Sequence, residues 1–207
     1  ADFGHHIIPM ALSEAKVYGY KFDGYWRDAG TLQAYWDANM DLLNPDSGIN
    51  PEAWGTMTNL VTDGMPYDRP PARVVKGGEI VRSIVSPGCE IGGRVVNSIL
   101  SPGVIVKNNA VVEDSVIMHD VVIGEGTVVN RCIIDKNVVT GAEVSIGCGE
   151  IVSSNARFPE HLSSGISVVG KDAVIPPMTI IGTNSIIYPE MKGKDFLKTR
   201  FVCGETI

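Results

Sequence analysis

No run of apolar residues in this 207-residue sequence reaches the length of about 18 to 20 that a membrane-crossing helix needs, although 44% of the residues are hydrophobic. No secretory leader, with a basic start followed by an apolar stretch, opens the chain. These absences lead to the expectation of a soluble, cytoplasmic protein. Lysine and arginine form no cluster, and 17 of them are set against 24 acidic residues for a formal charge of -7. Such a chain lacks the basic face that displaces counterions from nucleic acid, so neither nucleic acid nor membrane is an expected partner. Cysteine is scarce and scattered at Cys89, Cys132, Cys148 and Cys203, without a CxxC pair. That spacing argues against a zinc site or a disulfide framework and fits reduced thiols. The chain also opens on Ala1-Asp2-Phe3-Gly4 without methionine or a leading strand, as a chain starting inside a domain would.

What the sequence does have is a period of six. Aliphatic residues recur at Val85 and Ile91, at Ile99, Ile105, Val111, Ile117, Ile123 and Val129, and at Ile134 and Ile146 around Thr140. This is neither the helical period nor simple strand alternation. It predicts a hexapeptide solenoid, a left-handed parallel β-helix of about 18 residues per three-sided coil with one inward aliphatic residue per face. A β-sandwich is the alternative, but it would place turn residues every 8 to 12 positions rather than every six. Gly92, Gly124, Asn130, Asp135, Gly141 and Gly147 follow the inward positions and are expected at corners with positive φ. The longer step from Ile91 to Ile99 implies a small insertion at one corner. The period lapses from Cys148 to Gly165, which reads as a loop protruding from one edge, and resumes at Val169, Ile175, Ile181 and Ile187.

Ahead of the repeats, residues 5–14 read as a short helix and 16–22 as a strand. Leu32 to Leu43 reads as a helix capped by Thr31, with Leu32, Trp36, Met40 and Leu43 on its apolar face. The organisation expected is 1–45 as the end of an α/β domain, 46–78 as a linker wrapping the first coil, 79–190 as the solenoid with its loop at 148–165, and 191–207 as a cap. Trp54 and Met57 in the linker are expected to anchor it against a neighbouring surface.

Three segments carry a resemblance: DFGHHIIP at 2–9, GYWRDAGT at 24–31 and AYWDANMDLL at 34–43. In order and spacing they resemble the end of the catalytic domain of the sugar-nucleotide pyrophosphorylases, most closely the glucose-1-phosphate adenylyltransferases. RCIIDKN at 131–137 and SGISVVGKDAVIPPMTIIG at 164–182 are similar to that family's C-terminal β-helix. The resemblance implies a nucleotidyltransferase that joins glucose 1-phosphate to ATP, giving ADP-glucose and pyrophosphate for glycogen or starch synthesis. The family's Gly-rich nucleotide loop and its first metal-binding aspartate have no counterpart here. The chain therefore resembles the C-terminal half of such an enzyme, serving oligomerisation and regulation and inactive alone. A non-catalytic regulatory subunit is a second reading.

The resemblance also assigns residues. Asp28, in the Arg27-Asp28-Ala29-Gly30 turn, matches the position that supplies a ligand to magnesium (Mg2+), which neutralises charge during transfer at the α-phosphate. Without the family, Asp28 is a turn or capping residue. Arg27 is a candidate for substrate phosphate or for a salt bridge, and Tyr25 and Trp26 read as packing residues. Lys136 and Lys171 resemble lysines that bind a sugar-phosphate or phosphate effector, against the alternative of solvated corner lysines. Glu150, Arg157 and His161 in the loop could add to such a site. His119 at a corner would fit a third reading, a hexapeptide acyltransferase with a histidine base beside acyl-coenzyme A. A homo-oligomer is expected, a tetramer as in the relatives or a trimer.

Overall fold

The computed structural model describes residues 2–55 and 69–207. The repeats form a parallel β-solenoid of three sheets with six, seven and six strands, each strand paired with its counterpart a coil away. One face stacks Val74, Ile91, Val106, Ile123, Thr140 and Ile175 in register, all enclosed except Val74, which like Ile80 on the next face is exposed on the first coil. The second carries Ile80, Val95, Val112, Val129, Ile146, Ile181 and Phe201, and the third Val85, Leu100, Ile117, Ile134, Val169 and Ile187. Strands of two or three residues have almost no stability of their own; enclosure of these aliphatic columns holds them, at about 1.5 to 3 kcal/mol per buried side chain. Thr140 is the polar member, and its Oγ1 accepts a hydrogen bond from Gly124 N at 2.8 Å, so its burial leaves no unmet acceptor.

Most of the expected inward positions hold, and three do not. Ile99, Ile105 and Val111 are only partly buried and face outward, while their successors Leu100, Val106 and Val112 are fully buried. The cause lies at the corner where the buried Val112 and Ile117 stand only five residues apart, so that a count of six back from Ile117 falls one residue short at each place. Gly92-Gly93 is a second irregularity. Two residues join the strands Glu90–Ile91 and Arg94–Val96, where the next coil uses the four from Lys107 to Ala110. The long step in the pattern is thus a shortened corner and not an insertion. A Cβ at Gly93 would stand 2.2 Å from the Ala110 carbonyl oxygen, so only glycine permits this shortcut.

Corner chemistry departs from expectation too. Of the six expected left-handed positions only Gly147 has positive φ, at 71°. The left-handed residues come later in each turn, at Asn109, Glu143, Asp120, Asn137 and Asp172 among others. Gly124 is needed for close approach instead, since a Cβ there would fall 2.0 Å from the Gly141 carbonyl oxygen.

The other expected boundaries shift. Arg73–Val74 already pairs with Glu90–Ile91, so the solenoid begins inside the stretch read as linker. Residues 16–22 form no strand and are exposed, because no strand among the described residues lies beside them to share a ladder. Trp54, expected to anchor the linker, is 56% exposed; Met57 lies outside the described residues. The loop at 148–165 does not protrude freely: Asn155 and Leu162 are buried, and Asn155 Nδ2 donates to the Asn184 carbonyl at 2.9 Å. The C-terminal segment adds a strand, Arg200–Phe201, beside Ile180–Ile181, and Phe196 meets Phe201 edge-on at 6.0 Å.

One corner carries a ladder of hydroxyls. Ser98 N donates to Ser83 Oγ at 3.0 Å, Ser115 N to Ser98 Oγ at 3.1 Å and Cys132 N to Ser115 Oγ at 3.0 Å. Cys132 thus fills a serine position, and burial pushes its thiol well above the ordinary range. Cys203 differs. Burial alone would raise its thiol, but the Thr183 hydroxyl donating to Sγ at 3.0 Å and the nearby backbone outweigh that, and its pKa lies below the usual value. Cys203 also lines a cavity of about 320 Å³ beside the loop. Iodoacetamide followed by peptide mass spectrometry should therefore label Cys203 first and Cys132 only on unfolding; early modification of Cys132 would contradict the burial.

Candidate functional site

Two places bring the predicted residues together. The first is the turn that lies between α1 (Ile8–Glu14) and α2 (Leu32–Asp41), directly ahead of α2. Thr31 caps the helix, its Oγ1 accepting from Ala34 N at 3.1 Å. In the turn, Asp28 Oδ1 accepts from Gly30 N at 2.9 Å, the aspartate turn expected of this residue without any family. The carboxylate is otherwise exposed, and no ion pair engages it among the described residues. Magnesium is held by one or two carboxylates together with substrate phosphates, and an open aspartate oxygen fits one such ligand. No group of three metal-ligating side chains occurs among the described residues; Asp28 alone would be part of a site.

Arg27 is committed elsewhere. Its Nη1 lies 3.2 Å from Asp37 Oδ2 and its Nη2 2.8 Å from Asp41 Oδ2, one turn apart on α2. Of the two sequence alternatives, the geometry is that of the salt bridge. Tyr25 donates to Asp41 Oδ2 at 2.8 Å, and burial with this carboxylate raises its phenol above the ordinary pKa. Trp26, expected to pack, is instead 75% exposed.

The second place is a corner column. Asn137 N donates to the His119 carbonyl at 2.9 Å, Asp172 N to the Lys136 carbonyl at 3.0 Å and Glu190 N to the Lys171 carbonyl at 2.8 Å. His119, Lys136 and Lys171 therefore occupy the same place on three successive coils, which a sheet spaces about 4.8 Å apart. Lys171 lies 3.8 Å from Asp172, a weak exposed contact, and Lys136 forms no salt bridge among the described residues. Two lysines one coil apart carry the charge that matches a doubly charged anion. His119 adds no charge at neutral pH: burial first, then Lys136, lowers its pKa. Both its ring nitrogens are enclosed and lack a hydrogen-bond partner, so the imidazole is not presented to a groove as a general base would be.

The loop candidates are only partly gathered. Arg157 lies 5.6 Å from the rings of both Phe158 and Tyr188, and Tyr188 directly follows the strand Ile186–Ile187 on the face whose corner carries Lys171. Glu150 lines the Cys203 cavity instead. Sequence reasoning missed Arg69, whose Nη1 and Nη2 meet both oxygens of Asp120 at 2.6 and 3.0 Å beside His119. An arginine in a proline-rich stretch gives no sign of a partner 51 positions away.

Comparisons with known proteins bear on the family. A family model described as Nucleotidyl transferase matches residues 1–45, and one described as GlmU-like, C-terminal hexapeptide matches residues 70–169. Across the entire chain the sequence is 46% identical to a glucose-1-phosphate adenylyltransferase of Thermomicrobium roseum. The chain is a relative of the glucose-1-phosphate adenylyltransferases. The enzyme of that name from Acetivibrio thermocellus is 43% identical over 94% of the chain, and that of Thermotoga maritima 38% over 100%. These alignments cover 47%, 45% and 48% of the three relatives, so the chain spans about half their length. No helix among the described residues is long and apolar enough to cross a membrane.

Proposed function

We propose that this chain is the oligomerisation and regulatory part of a cytoplasmic, homotetrameric enzyme that makes ADP-glucose and pyrophosphate from ATP and glucose 1-phosphate. Support comes from similarity along the whole chain to proteins named for that reaction. Asp28 is the magnesium ligand contributed from this part, and its open carboxylate beside a capped helix is the observation that carries the assignment. Magnesium supplies charge neutralisation at the transferred phosphate. Arg27 acts on α2 and not on the substrate, because both of its ion pairs go to that helix. Lys136 and Lys171 bind a phosphate-bearing effector between adjacent coils.

Given ATP, glucose 1-phosphate and magnesium, the 207 residues alone should release no pyrophosphate; sustained release would overturn the division of labour. In the full-length protein, Lys136→Ala combined with Lys171→Ala should flatten the dependence of rate on phosphate concentration while sparing the rate without phosphate. An unchanged phosphate response would remove the corner column from the reading.

A further inference from the structure

The turn that holds Asp28 is fastened to one element. Arg27 grips Asp37 and Asp41, Tyr25 grips Asp41, and Thr31 caps the same helix. At ten residues α2 is below the length at which a helix is stable by itself, and none of its residues is fully buried. Its direction must come from whatever it leans on.

It leans on the solenoid along one corner column and the face beside it, where Asn97 Nδ2 also reaches Met40 Sδ at 3.9 Å. Trp36 Nε1 donates to the Asp114 carbonyl at 2.7 Å. The Arg131 guanidinium covers the Trp36 ring at 4.3 Å from its centroid, and Arg131 Nε donates to the Ser164 carbonyl at 3.0 Å. Asp114 and Arg131 are the left-handed corner residues of adjacent coils, with φ of 47° and 50°, so their backbone places are set by the coil and not by α2. Leu32 and Tyr35 pack with Ile133, Leu162 and Ile166 alongside. An indole clamped between a carbonyl and a guanidinium has little freedom to rotate.

We infer that Trp36 is a positioning residue for the nucleotidyl transfer. Through α2 and the Arg27 clamp, it makes the solenoid corner at Asp114 and Arg131 the fixed base from which the Asp28 carboxylate is aimed. This rests on the reading of Asp28 as a magnesium ligand. The solenoid then has a part in the chemistry besides assembly, since a ligand displaced by about 1 Å can cost a rate of about 10²-fold.

The test uses the full-length protein and reads the magnesium concentration for half-maximal rate, kcat, the KM for glucose 1-phosphate and the thermal midpoint. Trp36→Leu keeps apolar bulk but loses both clamps. It should raise the half-saturating magnesium concentration and lower kcat by roughly tenfold or more, with KM for glucose 1-phosphate little changed. Trp36→Phe keeps a ring under Arg131 and should recover most of both values. A lowered thermal midpoint with unaltered magnesium dependence in Trp36→Leu would show a merely structural role and overturn the inference. Should Trp36→Leu fail to fold, Arg131→Leu, which removes the cation from the Trp36 ring, decides by the same readout. Asp28→Asn measured in parallel separates the two claims. Unchanged magnesium dependence in Asp28→Asn refutes the metal-ligand reading and the inference built on it, whereas a shift there with none in the Trp36 variants refutes the inference alone.

Discussion

Asp28→Asn in the full-length protein is expected to lower magnesium-dependent turnover by roughly 10²- to 10³-fold at an unchanged thermal midpoint. A metal acting as Lewis acid supplies several kcal/mol of transition-state stabilisation, and each 1.36 kcal/mol is about tenfold in rate. Asparagine keeps the side-chain oxygen that Gly30 N meets at 2.9 Å, so the turn survives while the charge that holds the cation is gone. Arg27 retains Asp37 and Asp41, and Thr31 still caps α2. Steady-state rates across a magnesium titration, with a melting curve on the same sample, separate loss of charge from loss of fold. Undiminished turnover would favour the regulatory-subunit reading.

The second large effect is structural. Asn184 is fully buried in the left-handed region at φ 55°, where asparagine is among the few side chains that sit easily. Its Oδ1 accepts from Gly165 N at 2.7 Å and its Nδ2 donates to the Ser153 carbonyl at 2.7 Å. Asn184→Ala strands the buried Gly165 N–H at about 1–3 kcal/mol and removes one hydrogen bond from the exposed Ser153, whose carbonyl keeps Cys203 Sγ at 3.1 Å, at about 0.5–1.5 kcal/mol. The expected total is about 2–4 kcal/mol, a large share of the stability of an ordinary domain. A urea unfolding curve should shift to a lower midpoint, and limited proteolysis should cut first between 148 and 165. A loop as resistant as before would mean that Leu162 and its apolar neighbours hold it without the asparagine.

The solenoid was legible because each coil imposes one aliphatic residue per face, and such a column is written directly into the period of the sequence. Legibility failed where the backbone broke the count. The five-residue step from Val112 to Ile117 put Ile99, Ile105 and Val111 on the wrong side of a count by six, and Gly92-Gly93 removed two residues from another corner, which periodicity alone reports as a longer step. Residues 16–22 alternate as a strand would, yet strand formation is a property of pairs, and the described residues hold no partner. At the candidate site the motif around Asp28 was readable as a turn, whereas the commitment of Arg27 to α2 depended on a helical turn bringing Asp37 and Asp41 together. Arg69 and Trp36 found their partners across coils, which no local spacing encodes.

The insertion between the strands Ser145–Ile146 and Ser167–Val169 leaves the ladder in register, with Ile134 still beside Val169. Lys136 and Lys171 are thus far apart along the chain and immediate neighbours in space. A side chain in this architecture has an address made of a coil and a place on that coil, and residue number enters only through the length of whatever is looped out between. Loop-closure entropy grows slowly with length, so such an excursion can lengthen or shorten at small cost without changing who stands next to whom. Length variation at this point of the chain should leave the charge pair intact, while deletion of a single residue inside any regular corner would move every later address by one place.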